Sequence, residues 1–78
     1  MFFKDFDENP GHFCHPNANM TSIELKDAMR ECHEDESCKA FYKVCGYDRY
    51  RKCNDTLYEE DSECGLVGNL SVLYIKGI

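Results

Sequence analysis

Six cysteines in 78 residues constrain this chain more than any other feature. They stand at positions 14, 32, 38, 45, 53 and 64. A chain of this length encloses only a limited core, and such chains commonly add disulfides, a metal or a partner. An even cysteine count at this density favours a disulfide scaffold formed in an oxidising compartment. Fifteen pairings of six cysteines are formally possible, so the local sequence has to narrow them.

The stretch SCKAFYKVC, Ser37 to Cys45, excludes one pair. It is rich in aromatic and β-branched residues and reads as a strand. Successive strand side chains point to opposite faces, so Cys38 and Cys45, an odd number of residues apart, face opposite ways. They would lie roughly 23 Å apart along the strand, whereas a disulfide needs Cα atoms within about 7 Å. Each must reach a different neighbour.

The segment MTSIELKDAMRECH carries a helix signal. Thr21 and Glu24 have capping-box spacing, and Met20 with Leu25 make a hydrophobic-staple pair. Leu25, Ala28, Met29 and Cys32 then recur on one face, which places Cys32 on the buried side near the helix end. EDES reads as a polar turn, CKAFYKV as a strand, GYDR as a turn on Gly46 and Asp48, and YRKC as the returning strand of a hairpin. NDTLYEEDSECGLVGN reads as a long acidic loop. LSVLYIK is a second apolar strand, central because both of its faces are mostly apolar. GHFCH adds a short strand. Residues 1–10 form an N-terminal segment without a clear pattern; Phe2, Phe3 and Phe6 either dock on the sheet or belong to a loose tail. The expected fold is α+β and disulfide-rich, with one helix packed on a small antiparallel sheet, in a single domain over 11–78.

This layout suggests where the cysteines go. The chain turns between the helix end and the strand start, so Cys38 can reach back to Cys32. Cys45 and Cys53 flank the hairpin turn, which suits a cross-strand bridge. Cys14 and Cys64 remain and would tie the two ends of the domain together. Each bridge is worth about 2–4 kcal/mol.

The pieces LKDAMRECHEDESCKAF and SVLYIK resemble the PAN/apple domain family, over roughly residues 11–76. The resemblance implies a helix packed on a curved antiparallel sheet and a helix-to-strand disulfide, which Cys32–Cys38 matches. The chain departs from the family at Ala28, where many members carry a second helix cysteine bridged to a later strand. Cys45–Cys53 is expected for that reason. Family members are mostly non-enzymatic modules that bind proteins or carbohydrates, and no specific ligand carries over.

Other features agree with a secreted chain. Asn19-Met20-Thr21, Asn54-Asp55-Thr56 and Asn69-Leu70-Ser71 are N-glycosylation sequons. No apolar run approaches the ~18 residues of a membrane span. MFFKDFDENP has acidic residues where a signal peptide has its apolar region, so a secreted form is a mature chain or an excised domain, with Met1 as an added start.

The net charge of −6 argues against nucleic-acid binding. The charge is uneven, however. Lys39, Lys43, Arg49, Arg51 and Lys52 cluster with a single acid, Asp48, between two acidic flanks. Together with Phe41, Tyr47 and Tyr50 they form the candidate binding hairpin. Basic side chains suit sulfates, phosphates and carboxylates, and tyrosines stack on sugars or partner side chains. The competing reading is a solvated sheet face whose Lys and Arg stems cover apolar surface.

Two other chemistries are weaker. His12, Cys14 and His15, with Cys32 and His33, offer metal ligands but lack the paired spacings of structural zinc sites, so neither a metal nor a cofactor is expected. Nucleophile-elbow, zinc-protease and phosphate-loop motifs are all missing, and an even cysteine count leaves no spare thiol. The chain therefore reads as a secreted, non-enzymatic module that binds an extracellular protein or glycan without inserting into a membrane. The alternative is a small secreted effector, an antihaemostatic, protease inhibitor or toxin, presenting Arg49 on a bridged turn.

Overall fold

A computed structural model describes residues 6–55, 57–60, 64 and 70–77. Among the described residues, seven strands and one helix follow in the order β1 (Phe6–Pro10), β2 (His12–Cys14), β3 (Ala18–Asn19), α1 (Leu25–Glu34), β4 (Ala40–Lys43), β5 (Tyr50–Cys53), β6 (Tyr58–Glu60) and β7 (Val72–Lys76). Five strands form one antiparallel sheet in the order β1-β7-β4-β5-β3, and β2 and β6 form a separate two-stranded ribbon. The chain is α+β and disulfide-rich.

Strand alternation explains how the layers stack. Phe41 and Tyr74 share a cross-strand row and join Phe6, Tyr50, Met20, Ala28, Met29, Cys32 and Cys38 in one core, with Leu25 and Val72 packed against it. This is the helix side. The intervening residues Ala40, Tyr42, Leu73 and Cys53 point the other way. They form a second core with Cys14, flanked by Phe13, Val44, Tyr58 and Ile75. The β2–β6 ribbon covers that side, with β2 lying across β4 and β7. The helix stripe does what its spacing implies: Ala28, Met29 and Cys32 are buried.

The helix start differs from its sequence signal. The helix begins at Leu25, with Glu24 as an extended N-cap that receives no side-chain cap. The Thr21 and Ser22 hydroxyls instead donate to Glu31 Oε1, at 3.2 and 2.9 Å. The cause lies just upstream. Met20 is fixed to β5 by its N–H to the Tyr50 carbonyl, 3.0 Å, and the chain needs an extended link from there to the helix.

Three elements escaped the sequence pattern, among them the two-residue strand Ala18–Asn19 on β5. Residues 6–10 form an edge strand on β7, from Phe6 opposite Lys76 to Pro10 opposite Val72; Phe6 is buried, while Phe2 and Phe3 lie outside the described residues. Within the expected acidic loop, Tyr58–Glu60 pairs with His12–Cys14.

The disulfides are Cys32–Cys38, Cys14–Cys53 and Cys45–Cys64, with Cα separations of 5.3, 6.2 and 5.2 Å. The expected Cys14–Cys64 and Cys45–Cys53 are corrected. Register is the reason: Lys43 faces Tyr50 and Ala40 faces Cys53, so Cys53 lies at the far end of the hairpin from Cys45. The offset is five residues, about 16 Å along the ladder, well beyond disulfide reach. Cys53 points to the ribbon, where Cys14 ends β2. Cys45 sits in the turn and is left to Cys64.

That turn is tight. Cys45 and Gly46 have φ of 47° and 81°, two consecutive positive values as in a type I′ turn. The Tyr47 N–H closes it on the Val44 carbonyl, 2.8 Å. The Cys45 N–H donates to the hydroxyl of buried Ser71, 3.1 Å.

Proteolysis without reduction, read by mass spectrometry, is expected to yield linked peptides 14–53, 32–38 and 45–64 and no alkylatable thiol. A 45–53 peptide would contradict this register. Phe41→Ala is expected to destabilise the domain by about 3–5 kcal/mol, read as a fall in the denaturant midpoint.

Candidate binding face

The eight residues of the expected binding hairpin separate into buried, engaged and uncommitted groups. Phe41 is fully buried and Tyr50 is 2% exposed. Phe41 packs against Phe6, Tyr50 and Tyr74 at ring-centroid distances of 5.3, 6.0 and 5.0 Å, stacked on Tyr74. Neither Phe41 nor Tyr50 meets solvent, so both leave the candidate surface. Burial pushes the Tyr50 phenol pKa upward, with the Asp48 carboxylate adding to it. For Tyr74, burial first and then Glu8 push it up to about 12.

Lys52 is engaged. Its Nζ lies 2.8 Å from Asp35 Oδ2. Asp35 also accepts from the Ser37 N–H at 3.0 Å and the Ser37 hydroxyl at 2.7 Å. The other lysine at this corner, Lys76, reaches the carbonyls of Cys32, His33 and Asp35 at 2.9, 3.3 and 3.1 Å. Cys32 and His33 lie in the last turn of the helix and Asp35 caps it, where the carbonyls carry partial negative charge. Sequence spacing did not single out Lys76. The D-x-S turn of Asp35 and Ser37 was the available signal for the corner.

Lys39 is exposed beside the start of β4, where its N–H bonds the Cys53 carbonyl at 2.8 Å. It lines an open cavity of about 260 Å³ with Glu36, Cys38, Lys76 and Gly77. Lys43 faces Tyr50 across the ladder on the helix side and is half-buried. These lysines therefore belong to a different surface from the remaining three residues.

The uncommitted group is Tyr47, Arg49 and Arg51. Tyr47 is 61% exposed, just past the turn. The Arg49 N–H bonds the Tyr47 carbonyl at 2.7 Å, and the Arg49 carbonyl accepts from Val44 at 2.9 Å. Arg51 faces Tyr42 on one side and Asn19 on the other. It is half-buried, and its Nε is enclosed without a hydrogen-bond partner. Neither guanidinium forms an ion pair with a described residue.

The other candidate groups are placed as follows. Asn19 and Asn54 are exposed, and Asn69 lies outside the described residues. Cys14 and Cys32 are in disulfides and so offer no thiolate to a metal. His15 pairs with Glu59 at 2.8 Å, and His12 Nδ1 lies 3.1 Å from the Pro10 carbonyl. Among the described residues no three His, Cys, Asp or Glu side chains converge as a metal cluster, and no helix is long and apolar enough to cross a membrane. The chain matches no protein-family model, no curated protein and no solved structure.

The Asp35 corner gives a pH signature. The Lys52 ammonium first, then the Ser37 hydroxyl and N–H, hold the Asp35 carboxyl well below the usual carboxylate range. Its contribution is complete above the unfolded value of about 3.9 and is lost as pH falls toward the folded value. The hydrogen bond to Asp35 raises Lys52 above 10.5, so that contribution is present below about pH 10.5 and lost as pH rises through the folded value. Urea midpoints measured from pH 2 to 6 are expected to fall below about pH 4 in the wild type. The Asp35→Asn variant is expected to start lower and slope less; parallel curves would remove the assignment.

Proposed function

We propose that the chain is a non-enzymatic, PAN/apple-like module of the extracellular space that binds a protein or carbohydrate. The contact surface is the turn and the ribbon-side face of β5, with Tyr47, Arg49 and Arg51 as its anchors. One observation carries this reading: an exposed tyrosine on a disulfide-tied turn adjoins two arginines that no described residue pairs. Interface energy concentrates in residues of these two types. A turn already held in one conformation also loses little freedom on binding.

Three bridges in a chain of this size fit an oxidising compartment. Asn54 is exposed, which leaves its side chain accessible to glycosylation there. The helix on an antiparallel sheet and the Cys32–Cys38 bridge support the family likeness. The reading assigns no catalytic residue, cofactor or nucleic-acid partner.

The oxidised protein, screened against immobilised glycans and extracellular-matrix proteins, is expected to retain at least one of them at micromolar concentration. The Tyr47→Ala/Arg49→Ala variant is expected to lose about tenfold or more in affinity, the equivalent of 1.4 kcal/mol. Retention of nothing, or equal binding by the variant, would end the proposal.

A further inference from the structure

We propose that Arg49 and Arg51 form a site for the carboxylate of an acidic sugar, with Tyr47 supplying a ring for the sugar to stack on. This rests on the binding reading above and names its ligand. Arg51 occupies the ribbon-side row that also holds Leu73, Tyr42 and Asn19. Arg49 lies two residues before Arg51, just outside β5, where its carbonyl accepts the Val44 N–H at 2.9 Å. The ribbon strand β2 crosses β4 and β7 and reaches β5 at the Cys14–Cys53 bridge, two residues from Arg51.

Charge makes the vacant guanidinium informative. The chain has 15 acidic and 9 basic residues. Lys52 on the opposite face of β5 has its carboxylate, and so does Arg30 on the helix, 3.0 Å from Asp27. Arg51, more buried than Arg30, has none among the described residues. Its Nε is enclosed and unpartnered, so the terminal Nη groups are the donors a ligand meets. Two Nη donors in a plane match the two oxygens of a carboxylate.

The surroundings favour a sugar over a peptide strand. Peptides that add to a sheet need an open edge, but β5 lies between β4 and β3 and its ladder is occupied. A ligand at this face meets side chains: two guanidinium planes and a phenol ring, which suit a ring bearing one acid group. A polysulfated chain would bring many charges against a protein of net charge −6, and the repulsion grows with each one. A single carboxylate at each contact avoids that.

The test is titration calorimetry of the oxidised protein with the methyl glycoside of galacturonic acid, with a sialic-acid-terminated trisaccharide and with the methyl ester of each. At least one free acid is expected to bind, its ester at least tenfold more weakly, with affinity falling as salt rises. Arg51→Lys keeps the charge and removes the fork, and it is expected to lose about tenfold, as is Arg49→Lys. Lys26→Ala is expected to bind as the wild type does. Near-ultraviolet circular dichroism checks that each variant is folded. Equal affinity for acid and ester, no binding of either acid, or wild-type affinity in both folded arginine variants would overturn the inference. If the wider screen still retains a neutral glycan or a protein, the module reading survives and only the carboxylate site falls.

Discussion

The central strands β4 and β7 have two faces to cover, and the rest of the molecule is arranged around that need. Phe41 and Tyr42 are neighbours in sequence and lie in opposite cores. Burying a large apolar side chain is worth about 1.5–3 kcal/mol, so neither face can be left wet in a chain of 78 residues. The helix supplies one cover and the β2–β6 ribbon the other. Each cover has its own bridge, Cys32–Cys38 at the helix end and Cys14–Cys53 between ribbon and sheet. A bridge restricts the unfolded chain more as its loop lengthens; the 39-residue separation of Cys14 and Cys53 makes it the longest tether of the three.

The basic residues divide by what their head groups can do. An ammonium is a compact charge with three donors. Lys76 uses that shape to meet three carbonyls at the helix end, and Lys52 meets the Asp35 carboxylate at the same corner. Helix and sheet are thus joined at one point by a disulfide, two lysines and an aspartate. Arg51 stands on the other side of β5, away from this corner, and Arg49 lies just before the strand. Their planar forks match a planar acid better than scattered carbonyls, and that geometry is what the binding face offers.

Much of the fold was legible because its signals were local. The helix stripe from Leu25 to Cys32, the YRKC return strand and the central character of LSVLYIK each follow from periodicity within one element. That Cys38 and Cys45 take different partners followed from the strand between them. Edge elements were less legible. The strand FDENP has little apolar content, and its pairing depends on β7, where Phe6 faces Lys76, 70 residues further along the chain. The YEE strand is three residues long with two acids. The two longer bridges were misplaced because hairpin register is fixed by where the turn closes. The sequence pointed to Gly46 and Asp48; the tight turn centres on Cys45 and Gly46. For the binding face, composition identified the basic segment, but only alternation and burial could remove Phe41 and Tyr50 from it and assign Lys52 to the helix corner.

The turn itself shows how scaffold and binding face are linked. A left-handed conformation costs a residue with a side chain roughly 1–2 kcal/mol, and Cys45 adopts one at φ 47°. Glycine or asparagine would relieve that cost, but neither could form the bridge to Cys64 or bring it beside Ser71, whose hydroxyl lies 3.2 Å from Cys64 Sγ. The serine of the Asn69-Leu70-Ser71 sequon therefore has a structural use independent of any glycan. The strained residue is held by a disulfide on one side and a hydrogen bond on the other, so the turn has one conformation to present. Tyr47 follows two residues later and projects from that fixed base. A loop of the same sequence without the bridge would have to be ordered by its ligand, and the ordering cost would be subtracted from every contact that Tyr47 and Arg49 make.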